Sequence, residues 1–386
     1  MTFPLTRFHE LETPFYYYDL DCLRETLRTI RRCTADRSDF HVHYAIKANA
    51  NPRLLQIIQE AGLGADCVSG GEVEAALNQG FPADRIVFAG VGKTDREIRL
   101  ALEAGIHSFN VESLPELEAI HELAMAMGKK ARVAFRINPN VDAHTHAKIT
   151  TGLNENKFGL ALEDCIPAIR RAEALEGVEY VGLHFHIGSQ ITELGPFEAL
   201  CARINDLQEE LEAAGIHTPN INVGGGLGID YEAPDENPIP NFEGYFATFA
   251  SHLRLRPGQQ LHFELGRSVV AACGTLIART LYVKQGHEKQ FAIVDAGFTD
   301  LVRPAMYGSH HFTQNLSAQD EGELQRYDVV GPICESSDVF SKDELLPPTR
   351  RGDFIAFRSA GAYGEVMASQ YNLRRLPAAY FSDDLA

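Results

Sequence analysis

From residue 43 to residue 267 the chain repeats one pattern. A short run alternates apolar and polar positions, and a longer stretch then places apolar residues three or four apart. The short runs are HYAIKA (43–48), GADCVS (64–69), RIVFAG (85–90), SFNVES (108–113), RVAFRIN (132–138), VGLHFHIGS (181–189), INVGGG (221–226) and LHFELGR (261–267). Stretches such as SLPELEAIHELAMAMGKK and FEALCARINDLQEELEAAG between them have a helical period. Eight evenly spaced β/α units predict an α/β fold built on a (β/α)8 TIM barrel. A doubly wound open sheet is the competing layout, but it seldom needs eight such strands. Past residue 268 the rhythm changes: GTLIARTLYVKQ, KQFAIVDAG and GDFIAFRSAGAY read as strands separated by turns. This predicts a barrel over 22–268 and a mostly β domain over 269–386. The aromatic, strand-like TPFYYYDLD in 1–21 is expected to complete the β domain, with covering the barrel floor as the other option.

Side chains alternate faces along a strand. Val42, Tyr44 and Ile46 have the apolar, helix-facing parity, so Lys47 points inward. By the same rule Arg136, His184, His186, His262 and Glu264 point inward, while Val133, Phe135, Ile137, Val181, Leu183, Phe185, Ile187, Leu261, Phe263 and Leu265 face out. Lys47, Arg136, His186 and Glu264 all fall near the C-terminal end of a strand, where barrel active sites lie. One such residue would be an ordinary solvated side chain at a barrel mouth; four at matching height point to a site. The glycine-rich GGGLG (224–228) follows the seventh run and ELGR (264–267) ends the eighth. Loops in those two places are the usual phosphate cradle of barrel enzymes, because glycine lets backbone N–H groups approach phosphate oxygens and arginine adds a forked contact.

A phosphate cradle, an inward lysine and an inward carboxylate suit pyridoxal 5'-phosphate. The lysine bonds covalently to its aldehyde, the carboxylate keeps its ring nitrogen protonated, and an imidazole lies against its ring. Two nucleotide-binding motifs fail on inspection. GVGKT would need the first glycine of a P-loop at Val87, and GGGLGI has Ile229 where GxGxxG needs its last glycine. The pair HFH resembles the HxH of barrel metallohydrolases, but the other inward residues are lysine, arginine and glutamate rather than metal ligands, so no metal is expected.

Composition narrows the partners. The 386 residues carry a net charge of −18, with 45% hydrophobic and 23% charged residues. That is a globular composition whose charge disfavours nucleic acid and anionic membranes. No run approaches a membrane span and the N-terminal residues do not resemble a signal peptide. The seven cysteines are odd in number and contain no CxxC pair, which fits a reducing, cytoplasmic setting.

YAIKAN, TGLNENKFG, HFHIGSQ, GGGLG, ELGR, RPAMYGSHH, GPICESSD and GAYGEVMASQYN, in that order over nearly the whole chain, resemble the diaminopimelate decarboxylase family. This family has the alanine racemase-like fold, a pyridoxal-phosphate barrel plus a β domain. The resemblance implies conversion of meso-2,6-diaminopimelate to L-lysine and carbon dioxide, the last step of lysine biosynthesis. It implies that Lys47 holds the cofactor, His186 stacks on its ring and Glu264 binds its ring nitrogen. Ser189, Gly225, Gly226, Gly266 and Arg267 surround its phosphate, with Arg267 shared with substrate, and Tyr363 touches phosphate or substrate. Cys334 would be the proton donor, and Arg303, Tyr307 and Glu335 would bind the far end of the substrate. It also implies a homodimer in which Cys334 and Glu335 serve the partner's site. Leu265 stands where the family usually has proline, on the outward parity, which leaves Glu264 inward. GSHH departs from the family pattern, so His310 and His311 receive no role.

The distal ammonium and carboxylate of diaminopimelate match Glu335 and the forked guanidinium of Arg303. Ornithine, lysine and arginine lack that carboxylate; a decarboxylase for one of these basic amino acids is the nearest alternative. A non-catalytic pyridoxal-phosphate-binding protein would be expected to lack Cys334, Glu335 and Arg303. Asp66 and Arg136 lie near Lys47 and are expected either to position it or to form an ion pair of their own. The long polar stretch 142–158 is expected to be either a lid or a simple exposed loop.

Overall fold

The computed structural model describes residues 2–141, 157–318 and 322–385. The chain divides into two compact units, one of Leu27–Gly228 with Asn241–Gly266, the other of Met1–Thr26, Ile229–Pro240 and Arg267–Ala386. The expected boundary ran unbroken from 22 to 268. The short segment Ile229–Pro240 instead groups with the second unit, although it follows the seventh barrel strand in sequence.

Strand β1 (Phe15–Tyr18) belongs to the second unit. The first unit is a closed parallel barrel of eight strands: β2 (Phe40–Ala45), β3 (Gly64–Cys67), β4 (Ile86–Phe88), β5 (Ser108–Val111), β6 (Ala131–Arg136), β7 (Val178–His184), β8 (Asn220–Asn222) and β9 (Gln260–Leu265). Closure comes from β2 pairing with β9, His41 beside His262 and His43 beside Glu264. The helices between strands start where the sequence carries start signals. Ser69, Thr94 and Ser113 each accept a backbone N–H three residues on, and Thr94 with Glu97 forms a full capping box. The outward residues Tyr44, Phe88, Phe109, Phe135, Leu183, Leu261 and Phe263 are almost wholly buried, as both faces of a parallel barrel strand should be.

The stretch 142–158, read as a lid or an exposed loop, lies outside the described residues except for Lys157 and Phe158. Lys93 of the rejected GVGKT motif has a structural part. Its ammonium is buried and donates to the carbonyls of Gly90 and Asn110 and to Glu116 at 2.6 Å.

The second unit is built on an eight-stranded sheet. Its main order is β12 (Thr313–Asn315), β15 (Phe354–Phe357), β10 (Gly274–Gln285), β11 (Gln290–Val294), β13 (Gln325–Val330) and β14 (Val339–Leu346). β1 runs antiparallel to β10 and parallel to β16 (Ala378–Phe381). A core of Phe8, Phe15, Tyr17, Ile277, Leu316, Phe354, Ala356 and Leu385 forms around it.

The barrel interior is polar, unlike the branched aliphatic filling common in this fold. Toward the N-terminal ends of the strands, His43 Nδ1 faces the Arg85 carbonyl at 3.1 Å and its Nε2 meets His262 Nδ1 at 2.9 Å. His262 Nε2 meets Asn220 Oδ1 at 3.0 Å. Burial pushes His43 down to about 4 and His107 to about 3, and lowers His262 as well. In the unfolded chain these rings titrate near 6.5, so between those values the unfolded state binds more protons. The contribution of these rings to stability should therefore be complete above about pH 6.5 and fall as the pH drops toward 4, with His43 alone costing about 2 kcal/mol at pH 5. The urea midpoint should be lower at pH 5 than at pH 7.5; equal midpoints would contradict this account.

Candidate active site

The barrel residues gather where their strands end. β2 stops at Ala45, three residues before the expected end, and Lys47 lies in a single 3-10 turn, Ile46–Ala48. Lys47 is thus not a strand residue. The turn aims its ammonium at Asp66 on β3, 2.6 Å away. The Lys47 side chain is 38% exposed and Asp66 is wholly buried, so the amine is reachable while its counter-ion is not. Burial, followed by the nearby Glu264, raises the Asp66 carboxyl, and Lys47 pulls it back. Asp66 Oδ1 has no hydrogen-bond partner among the described residues. Gly266 explains how the Lys47 turn sits against the end of β9: a Cβ there would lie 3.1 Å from both Ala45 Cβ and Ala48 Cβ.

Glu264 takes three donors from three other strands. Asn110 Nδ2 at 3.1 Å and Asn222 Nδ2 at 2.7 Å reach Oε1, and His184 Nε2 at 3.0 Å reaches Oε2. Burial alone would raise this carboxyl; His184 and the Lys47 ammonium outweigh it and hold the group below the ordinary carboxylate range. His186 follows the end of β7. Its Nδ1 accepts the Gly225 N–H at 3.4 Å, and burial, with Arg136 and Lys47 nearby, pushes its pKa down to about 3. The ring is therefore neutral, with its hydrogen on Nε2. Gly225 permits the closest backbone approach in this loop, since a Cβ would fall 2.0 Å from the Glu264 carbonyl. Gly226 follows at φ +101°, a conformation favoured by glycine. Ser189 is half-buried in the loop after β7.

Arg136 and Asp66 do not pair with each other. Arg136 donates to Glu112 at 3.1 Å and lies 4.6 Å over the Phe158 ring. Glu112 also accepts the N–H groups of Gly90 and Gly159, at 3.0 and 2.9 Å. Glu112, Asn110 and Asn222 were not picked out from sequence. Inward parity at Asn110 and Asn222 was a usable signal, but nothing local marked Glu112 as a partner of Arg136.

The second unit holds the remaining predicted residues. Arg267 is buried, donates to the Tyr231 hydroxyl at 2.7 Å and lies 4.9 Å from the centre of the Tyr363 ring. Arg303 begins the short helix Arg303–Tyr307. It too is buried, 5% exposed, and sits 4.9 Å over Tyr231. Its Nη1 donates to His311 Nε2 at 2.9 Å and its Nη2 to the Ser309 hydroxyl at 3.3 Å. A guanidinium can only donate, so His311 carries its hydrogen on Nδ1 and gives it to the Arg358 carbonyl at 2.9 Å. Burial and Arg303 hold that ring down to about 3. His311, left without a role in the sequence, thus fixes Arg303, and Tyr231 lies under both arginines' reach.

Cys334 and Glu335 are exposed. The Cys334 N–H donates to Asn372 Oδ1 at 3.1 Å, and Glu335 accepts the Tyr371 hydroxyl at 2.9 Å. Cys334 is the one exposed cysteine of seven free ones; Cys22 and Cys33 are half-buried and the others buried. By contrast, burial pushes the thiols of Cys165 and Cys201 up to about 12, where they stay protonated.

A lysine beside a buried acid, a carboxylate with acceptor capacity left and a glycine loop without room for side chains fit pyridoxal phosphate. The family model for the pyridoxal-binding domain of pyridoxal-dependent decarboxylases matches residues 20–271. A diaminopimelate decarboxylase of Bacteroides thetaiotaomicron is 60% identical over 383 residues, 99% of each chain. One from Archaeoglobus fulgidus is 43% identical over 95% of this chain and 86% of its own. Among solved structures, the Helicobacter pylori diaminopimelate decarboxylase complexed with L-lysine has a TM-score of 0.92 at 40% identity, covering 98% of this chain and 94% of that one. Closed barrel, β-rich second unit and full-length likeness agree: the chain belongs to the diaminopimelate decarboxylase family of pyridoxal-dependent decarboxylases.

Proposed function

We propose that the chain converts meso-2,6-diaminopimelate to L-lysine and carbon dioxide with pyridoxal 5'-phosphate as cofactor. The observation that carries this is the 60% identity to a diaminopimelate decarboxylase over essentially all of both chains. When bound, the cofactor supplies an electron-accepting ring conjugated to the carbon that loses its carboxylate.

The chain's own residues do the rest. Lys47 holds the cofactor covalently, and Asp66 keeps the amine in place. Glu264 accepts the hydrogen of the ring nitrogen, while neutral His186 lies against the ring face without adding a charge. Ser189, Gly225, Gly226, Gly266 and Arg267 take the phosphate, with Tyr363 beside it or the substrate. Arg303, pre-oriented by His311 and Ser309, pairs with the distal carboxylate, helped by Tyr307. Glu335 takes the distal ammonium, and Cys334 delivers a proton to the α-carbon. Exposure of Cys334 and Glu335 supports a homodimer in which they serve the partner's site. Seven free cysteines support a reducing, cytoplasmic location. Among the described residues no helix is long and apolar enough to cross a membrane.

Carbon dioxide release compared across diaminopimelate, lysine, ornithine and arginine tests the assignment. Diaminopimelate should dominate; equal or better turnover of ornithine would refute it. Replacing Cys334 with alanine should lower kcat by about 10²- to 10⁴-fold, the usual contribution of a placed proton donor, with the cofactor still attached to Lys47. Wild-type kcat in that variant would remove Cys334 from the mechanism.

A further inference from the structure

An ionised carboxylate offers about four lone-pair sites. Among the described residues, Glu264 Oε1 has both of its sites filled, by Asn110 and Asn222, and Oε2 has one filled, by His184. All four residues are buried, so water does not compete freely for the remainder. Each donor comes from a different strand, β5, β7 and β8, and the carboxylate from β9. Their positions are also tied down. Asn222 Oδ1 accepts the Gly224 N–H at 2.9 Å, which fixes its amide orientation and links the glycine loop to Glu264. The Asn110 carbonyl accepts the buried Lys93 ammonium at 2.9 Å. His184 must carry its hydrogen on Nε2 to serve an acceptor-only oxygen. Its Nδ1 has no partner among the described residues, so a second hydrogen there would find no acceptor.

We infer that Asn110, Asn222 and His184 are positioning residues that leave Glu264 one open acceptor site, on Oε2, for the cofactor's ring N–H, and that His184 keeps the shared proton on the ring rather than on Glu264. This rests on the assignment of Glu264 to the ring nitrogen. The physical reason is direct. Each hydrogen bond to the carboxylate stabilises its ionised form and makes it a weaker base. His184 acts on the oxygen that faces the ring, so its loss moves the proton toward Glu264 and leaves the ring a poorer electron acceptor. The asparagines act on the other oxygen and mainly fix the plane of the carboxylate.

The test uses holoenzyme loaded with pyridoxal phosphate carrying 15N in the ring, whose nitrogen resonance distinguishes protonated from unprotonated ring. Wild type should give the protonated signal. His184→Leu should move it toward the unprotonated position and lower kcat by about 10- to 100-fold, the usual cost of losing an outer-shell partner, with KM little changed and borohydride still fixing the cofactor to Lys47. His184→Gln, which restores a donor, should recover most of both. A kcat loss in His184→Leu with an unmoved nitrogen signal would overturn the role. If His184→Leu does not fold, Asn110→Ala and Asn222→Ala carry the test, with smaller shifts expected in the same direction; no shift in either overturns it. Glu264→Gln separates the two levels, because a protonated signal unchanged in that variant refutes Glu264 as the ring partner itself.

Discussion

Replacing Lys47 with alanine is expected to abolish decarboxylation, by at least about a thousand-fold, and to leave a protein from which borohydride-treated cofactor washes away. Lys47 is the amine presented at the strand ends beside a buried acid. Alanine removes both the covalent link and the cation that draws down the Asp66 carboxyl, which burial already pushes up. Asp66 can then take a proton and stay buried as a neutral acid, so the fold should survive. Lys47→Arg sharpens the test. It retains a cation next to Asp66 but has no amine able to bond the aldehyde at neutral pH. It should fold and melt near the wild-type temperature while remaining inactive. Activity within tenfold of wild type in either variant would remove Lys47 as the cofactor's anchor.

The second large effect is expected at Arg303. A forked guanidinium–carboxylate contact with a desolvated partner is worth about 2–5 kcal/mol when one side is truncated. Arg303→Ala should therefore lower kcat/KM for diaminopimelate by about 30- to 5,000-fold while the cofactor's absorbance persists. A collapsed site would lower turnover of every substrate alike, so selectivity is the decisive readout. Ornithine has no distal carboxylate, and the ratio of diaminopimelate to ornithine turnover should fall toward one. Arg303→Lys should not restore it, because a point charge cannot reproduce the fork held by His311 and Ser309. An unchanged kcat/KM for diaminopimelate in Arg303→Ala would reject the assignment.

Much of this was legible in the chain. The eight barrel runs announce themselves because a strand covered by helices on one face and a polar lumen on the other must alternate, and LHFELGR and VGLHFHIGS do. The strands at 274–285, 290–294 and 354–357 were legible for a similar reason. Thr313–Asn315, Gln325–Val330, Val339–Leu346 and Ala378–Phe381 were not, since TQN, QRYDVV, VFSKDELL and AAYF are short or lack clean alternation and owe their pairing to neighbours distant in sequence. The turn at Lys47 was missed because Val42, Tyr44 and Ile46 keep a strand's parity one step past where the strand ends.

By itself the sequence determined which way the barrel residues face and which chemical groups are at hand, because both follow from a local period of two and from residue identity. Full-length motif order then pointed to the family. Only the tertiary structure decided the partners: Lys47 with Asp66, Arg136 with Glu112, Glu264 with Asn110, Asn222 and His184, and Arg303 with His311. Asn110 and Glu264 are 154 residues apart. Their contact follows from the closure of β2 on β9, which turns the inward parity of every strand toward one shared interior. A period along the chain reports a direction, and only closure converts directions into distances.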